Sequence, residues 1–185
     1  EKIGITKYGA EIVSPYHGRS RTLYFSKALD GSQPYSYEVK RAEFDKILID
    51  NAVSKGVHVH EGVRAKRVEF RRDSTHLVQA EDRTGNAVGY ETKFVVDASG
   101  RDTFLSGQFG GKHRNPSHNS AAVFGHFEGV RRLPGKDEGN ISIVWFDYGW
   151  WWIIPFKDGT TSVGAVCWPS YISTRKVPLE QFLWD

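Results

Sequence analysis

Trp150-Trp151-Trp152-Ile153-Ile154-Pro155, led by Gly149, sets three of the chain's six tryptophans side by side. A buried indole needs a partner for its N–H, and Val and Ile would fill an ordinary core strand at less cost, so three indoles exceed what packing requires. In an extended strand Trp150, Trp152 and Ile154 share one face, while Trp151 and Ile153 share the other. Both faces are then apolar, which reads as a central strand between two packed layers. The sharper reading makes Trp150 and Trp152 the wall of a reaction chamber and leaves Trp151 as core.

A second constellation is Phe94-Val95-Val96-Asp97-Ala98-Ser99-Gly100-Arg101. Its apolar run reads as a strand buried on both faces, ending in an acid and small residues. Ligands of layered α/β proteins sit beyond such strand ends, where a glycine lets a bound molecule approach the backbone. Asp97 would accept from sugar or ribityl hydroxyls there; the plainer alternative is that it caps a strand-ending turn.

Arg41, behind Lys40, opens a helical pattern and puts positive charge where the helix dipole disfavours it by about 0.3–1 kcal/mol. A bound anion such as a pyrophosphate would compensate; Glu43 and Asp45 would equally balance an exposed arginine. Lys7 stands among small and apolar residues in Ile3-Gly4-Ile5-Thr6-Lys7-Tyr8-Gly9-Ala10. Burial would make it a usable amine, exposure an ordinary solvated lysine.

His58 and His60 would point to one face of a strand, but no third ligand has recognisable spacing. His113 and His118 stand in an irregular stretch, so no metal is expected. Arg64, Lys66, Arg67, Arg71 and Arg72 are diluted by Glu61, Glu69 and Asp73, as on a solvated strand face. A net charge of +3 over 185 residues gives no case for nucleic acid. Cys167 is the single cysteine, which rules out an internal disulfide framework and fits a cytoplasmic setting. No apolar run approaches the ~20 residues that span a bilayer, so no membrane partner is expected. The chain lacks methionine altogether, its first residue included, and so reads as an internal piece of a longer protein.

These residues need elements to position them. Residues 10–29 read as two short strands joined at Pro15–Arg19, followed by a turn cluster at Asp30–Pro34. The clearest helix is 41–54, where Phe44, Ile47, Leu48, Ala52 and Val53 follow the i, i+3, i+4 rule and Gly56 marks the stop. Period-two strands are expected at Val57–His60, Gly62–Phe70, His76–Asp82 and Tyr90–Val96, then a polar loop over 101–118. Strands resume at Ser120–Glu128, Ile141–Phe146, Gly149–Pro155 and Thr161–Val166, the last two joined by the hairpin signal Asp158-Gly159. Pro178 opens a final helix.

Together these segments resemble the flavin-dependent halogenases, the tryptophan halogenase-like branch of the FAD monooxygenase superfamily. Trp150, Trp152, Ile154 and Pro155 meet that family's Trp-x-Trp-x-Ile-Pro signature, and PFKDGTTSVGAV is similar to the hairpin that follows it. YSYEVKRAEFDKILIDNA resembles the opening of a helix in the family's FAD domain, with Arg41 at the characteristic arginine. FVVDASGR is similar to the Asp-Ala-Ser-Gly end of the third meander strand near FAD, a motif shared with related reductases and hydroxylases. GITKYGAEI resembles the Lys-x-Gly neighbourhood of the essential lysine, which falls on Lys7. Ala65 stands where the family more often has Val at a backbone contact to FAD. The G-x-G-x-x-G fingerprint and the later Gly-Asp motif are absent.

The resemblance implies an α+β fold with the mixed, largely antiparallel sheet of the p-hydroxybenzoate hydroxylase-like FAD monooxygenases. Residues 1–35 and 119–185 would form substrate-domain sheet. Residues 36–118 would form part of the FAD-binding domain, with the helix at 41–54, a β-meander over 57–97 and the loop at 101–118. It implies FAD, held by Arg41, Ala65, Asp97 and Gly100 and reduced by a separate flavin reductase. With O2 and a halide ion it would give hypohalous acid, which halogenates a small aromatic substrate, free or carrier-bound. Lys7 would serve as hydrogen-bond donor or as chloramine, and Trp150 and Trp152 would keep the substrate off the flavin. A flavin hydroxylase or reductase of the same superfamily is the alternative enzyme. A non-catalytic aromatic-lined binding domain is the alternative for the chain by itself.

Overall fold

The computed structural model describes residues 2–29, 31, 33–72, 75–113, 115 and 119–184. They form an α+β molecule of two compact units, Glu1–Asn51 with Ser117–Asp185, and Ala52–Pro116.

The first unit is built on a sheet whose strands run β3(Arg19–Tyr24), β2(Gly9–Ser14), β9(Ile141–Phe146), β10(Gly149–Pro155), β11(Thr161–Cys167), β8(Ala121–Phe127). Every neighbouring pair is antiparallel except β2 with β9. Chain-local turns explain most of that order. In the β10–β11 hairpin Gly159 takes φ +95°, a value that L side chains rarely adopt. Asp158 folds back on the backbone N–H and hydroxyl of Thr160.

Two three-residue strands, β1(Ile5–Lys7) and β4(Ser36–Glu38), make a separate antiparallel ribbon. Sequence periodicity does not expect it, since neither strand is long enough to show a period. The chain then enters α1(Arg41–Ser54), the helix that the i, i+4 pattern predicts. Its apolar stripe is not buried: Phe44, Ile47, Leu48 and Val53 are all exposed among the described residues. Two short helices, α3(Pro169–Ser173) and α4(Leu179–Trp184), close the unit. Tyr171, Phe182 and Leu183 from them line one cavity with Phe146, Trp151 and Cys167.

The second unit is the meander β5(Arg64–Glu69), β6(His76–Glu81), β7(Ala87–Thr92), followed by α2(Phe104–Gln108). Val68 and Ala80 are its buried apolar residues. Gln108 stands in for a strand partner on the edge of β5: its amide accepts from the Val68 N–H at 2.9 Å and donates to the Val68 carbonyl at 2.7 Å.

Among the described residues one expected strand, Val57–His60, is absent, and another, expected at Tyr90–Val96, instead ends at Thr92 in β7. Val57–His60 has no ladder partner, and Phe94–Val96 lies beyond the end of β7 without one. Phe94 and Val96 are 79% and 78% exposed, so the run is not buried on both faces. Alternation and apolar composition specify extended backbone; a strand also needs a neighbour for its N–H and C=O groups. The turn at Asp30–Pro34 falls partly on Asp30 and Ser32, outside the described residues. No helix among the described residues is long and apolar enough to cross a membrane.

Candidate active site

The register of β10 settles what each tryptophan meets. Trp152 stands opposite Gly164 on β11, and Ile154 opposite Ser162. A Cβ at residue 164 would overlap both the Trp152 ring and the Cβ of Phe124. Glycine there leaves a slot in which the indole lies across β11 toward β8, its centroid 5.9 Å from that of Phe124. The indole N–H donates to the Ser162 hydroxyl at 3.1 Å, and Ser162 is buried. That bond answers the demand that a packed tryptophan makes.

The same face carries a chain of ring contacts. Trp150 and Trp152 are 6.1 Å apart, Phe124 and His126 6.4 Å, and His126 and Phe156 5.2 Å. The row is open at Trp150 and Phe124, which are 38% and 61% exposed, and closed at Phe156, which is buried. Trp151 points the other way and packs 5.9 Å from Phe146, in the cavity shared with α3 and α4. The expectation of two packed layers is therefore corrected. One face of β10 is covered by helices, and the face of Trp150 and Trp152 is not covered by the described residues.

Lys7 is neither solvated nor alone. From β1 it reaches diagonally to Glu38 on β4, Nζ to carboxylate 2.6 Å, with the two side chains 19% and 13% exposed. Nζ also lies 5.9 Å from the centre of the Phe25 ring. The backbone beyond it is clipped by buried Asn140, whose Oδ1 accepts from the N–H groups of Tyr8 and Gly9, each at 2.8 Å. Asn140 in turn donates to Asp137 at 3.0 Å. Nearby in sequence, Lys40 pairs with Asp158 and sits 5.8 Å over Phe156, tying the entry of α1 to the β10–β11 hairpin.

The meander unit holds a cavity of about 840 Å³ lined by Arg64, Ala65, Thr92, Asp97, Ala98 and Ser99 among others. Ala65 reaches it beside a register shift in β5, where the strand carries one extra residue against β6. The Asp97 carboxylate accepts from the Ser99 N–H at 2.9 Å and the Leu105 N–H at 2.8 Å. The Ser99 side chain first, and then these two backbone N–H groups, hold its pKa below the usual carboxylate value. This is the turn-capping arrangement that the sequence left open beside the role of hydroxyl acceptor. Gly100 follows at φ +62°.

Arg41 is exposed and forks onto Asp45, with both N···O distances 3.0 Å, the local balance that the sequence also allowed. Among the described residues no group of His, Cys, Asp or Glu could hold a metal; His118 lies outside them. Ala65 and Asp97 thus meet at one cavity. Trp150, Trp152 and Ile154 share one face, and Lys7 is held in the β1–β4 ribbon. Sequence reasoning missed Glu38, Phe124, His126, Ser162 and Gly164. The alternation Ala122, Phe124, His126 was a signal for β8, but only cross-strand register brings it beside Trp152.

A family model described as tryptophan halogenase matches residues 12–178. Tryptophan 2-halogenase of Chondromyces crocatus is 36% identical over 153 residues, covering 80% of this chain and 28% of that protein. Among solved structures, the flavin-dependent halogenase CmlS superposes with a TM-score of 0.85 at 28% identity, covering 97% of this chain and 32% of its own. A flavoprotein/dehydrogenase of Cytophaga hutchinsonii gives 0.84 at 30% identity, covering 94% and 42%. The chain spans about a third of the length of the curated relatives it matches.

Proposed function

The chain belongs to the tryptophan halogenase family, and from that premise we propose that the whole protein is an FAD-dependent halogenase acting on a small aromatic substrate. The observation that carries the reading is the Trp-x-Trp-x-Ile-Pro strand, with Trp150 and Trp152 fixed side by side on the open face of β10. FAD, reduced by a separate flavin reductase, would supply the activation of O2 that turns halide into hypohalous acid.

The residues present fit part of such a cofactor. The meander cavity combines a cation, Arg64, with small Ala65 and Ala98 and the hydroxyls of Thr92 and Ser99. Ala65 and Asp97 would hold FAD there, with Gly100 close by in the chain; Arg41, which lies in the first unit, is assigned to FAD on the family resemblance alone. We accordingly assign 36–118 to the FAD-binding part and the strands of 1–35 and 119–185 to the substrate part. The Trp150–Trp152 face would act as a dry aromatic wall that shields a reactive oxidant from water and keeps the organic substrate off the flavin. Lys7 would donate hydrogen bonds to the oxidant on its way to the substrate. The same reading puts the protein in the cytoplasm, where the buried, unpaired Cys167 suits a reducing environment.

The flavoprotein/dehydrogenase likeness favours one rival, a hydroxylase or reductase on the same fold. The test supplies the whole protein with FAD, a flavin reductase, chloride or bromide, and phenols, pyrroles and indoles as substrates. Halogenated product that vanishes in Lys7→Ala supports the halogenase. Hydroxylated product in its place, with Lys7→Ala unimpaired, assigns the rival.

A further inference from the structure

The carboxylate facing Lys7 is no ordinary surface partner. Glu38 is 13% exposed, and its Oε1 is sealed from solvent with no aligned hydrogen bond. The nearby positive charge of Lys7, 2.6 Å away, therefore offsets the cost of holding that carboxylate away from water. The pairing is written into the ribbon. Ile5 lies directly opposite Glu38 and Lys7 opposite Ser36, so Lys7 and Glu38 share one face as diagonal neighbours within reach of long side chains. Asn140 fixes the backbone on the far side of Lys7, and Phe25 covers the amine from another.

We infer that Glu38 is the positioning residue of Lys7: it holds the amine in one place on the ribbon, so that its remaining N–H donors can orient what the lysine meets. This rests on the halogenase reading for what the donor meets. An ammonium has three N–H donors; one faces Glu38 and two stay available to orient a hypohalous acid.

The test uses the whole protein with Glu38→Gln, which keeps the shape and removes the charge, and Glu38→Asp, which keeps the charge. The first readout needs no turnover. Acylation of Lys7 by a succinimidyl ester is followed by peptide mass spectrometry against exposed Lys93. Loss of the charged partner in Glu38→Gln is expected to raise it about tenfold, with Glu38→Asp nearer the wild type. The second readout is how halogenating equivalents divide between the aromatic substrate and a diketone scavenger in solution, per flavin oxidised. Glu38→Gln is expected to shift them toward the scavenger.

Unchanged acylation in Glu38→Gln overturns the inference, even if product is lost, because the carboxylate would then act elsewhere. A wild type that makes no halogenated product defeats the halogenase reading instead, and the acylation comparison still decides the pairing.

Discussion

Trp152 shows how a single side chain is fixed by three others. Ser162 takes its N–H, Gly164 leaves room for its ring, and Phe124 packs against it at a tilt. Ser162→Ala removes the partner of that N–H and should cost about 1 kcal/mol, read as a lower urea midpoint with unchanged slope. Gly164→Ala drives a methyl into the indole and should cost about 1–3 kcal/mol while shifting tryptophan emission. Equal stability of Gly164→Ala and wild type would show that the indole does not occupy the slot. Cys167 supplies a control on the opposite face. Burial pushes its thiol above the usual value, so iodoacetamide should modify it in denaturant and scarcely at all in the native protein at neutral pH.

The β10–β11 hairpin and the entry of α1 form a unit at the next scale. Lys40 above all, then Thr160, holds the Asp158 carboxyl down from 3.8 to about 2. A carboxylate depressed on folding stabilises the native state fully above its unfolded value and loses that contribution as pH falls through the folded one. The tie is therefore intact at neutral pH and weakens from about pH 4 toward pH 2. The thermal midpoint of Asp158→Asn should fall less steeply than that of wild type across that window. Parallel pH profiles would mean that the pair contributes nothing.

This hairpin is also where the sequence was most legible. A continuous apolar run, a second β-rich run and the Asp-Gly turn between them carry their own instructions, and β10 and β11 lie within a residue of where those place them. The β1–β4 ribbon was not legible, since three-residue strands about thirty positions apart announce neither period nor partner. Lys7 could be singled out from its neighbours, whereas Glu38 could not, because the pairing exists only once two strands are in register. Phe94–Val96 failed in the opposite sense: the apolar run was plain, but a run does not name its neighbour.

At the scale of the molecule, what stands out is how much apolar surface each unit leaves uncovered. Helix α1 exposes Phe44, Ile47, Leu48, Ile49 and Val53, and the first unit's sheet exposes Phe124, Trp145 and Trp150. Local opening is easiest where few apolar contacts hold an element. In this chain the amides of α1 should exchange with solvent well before those of β9, β10 and β11. Equal protection would mean that α1 has a packing partner which its exposure denies.

The cavity bordered by Ala65 and Asp97, the Trp150–Trp152 face and the Lys7–Glu38 pair are the parts we propose for a halogenating enzyme, and one measurement tests that proposal. The whole protein is given FAD, a reductase, O2, chloride and an electron-rich aromatic, and the mass spectrum of any product reports which atom was added. A halogenase is predicted to give the paired isotope pattern of chlorine, abolished in Lys7→Ala. A product that gains oxygen alone, formed equally well with chloride omitted, would contradict it.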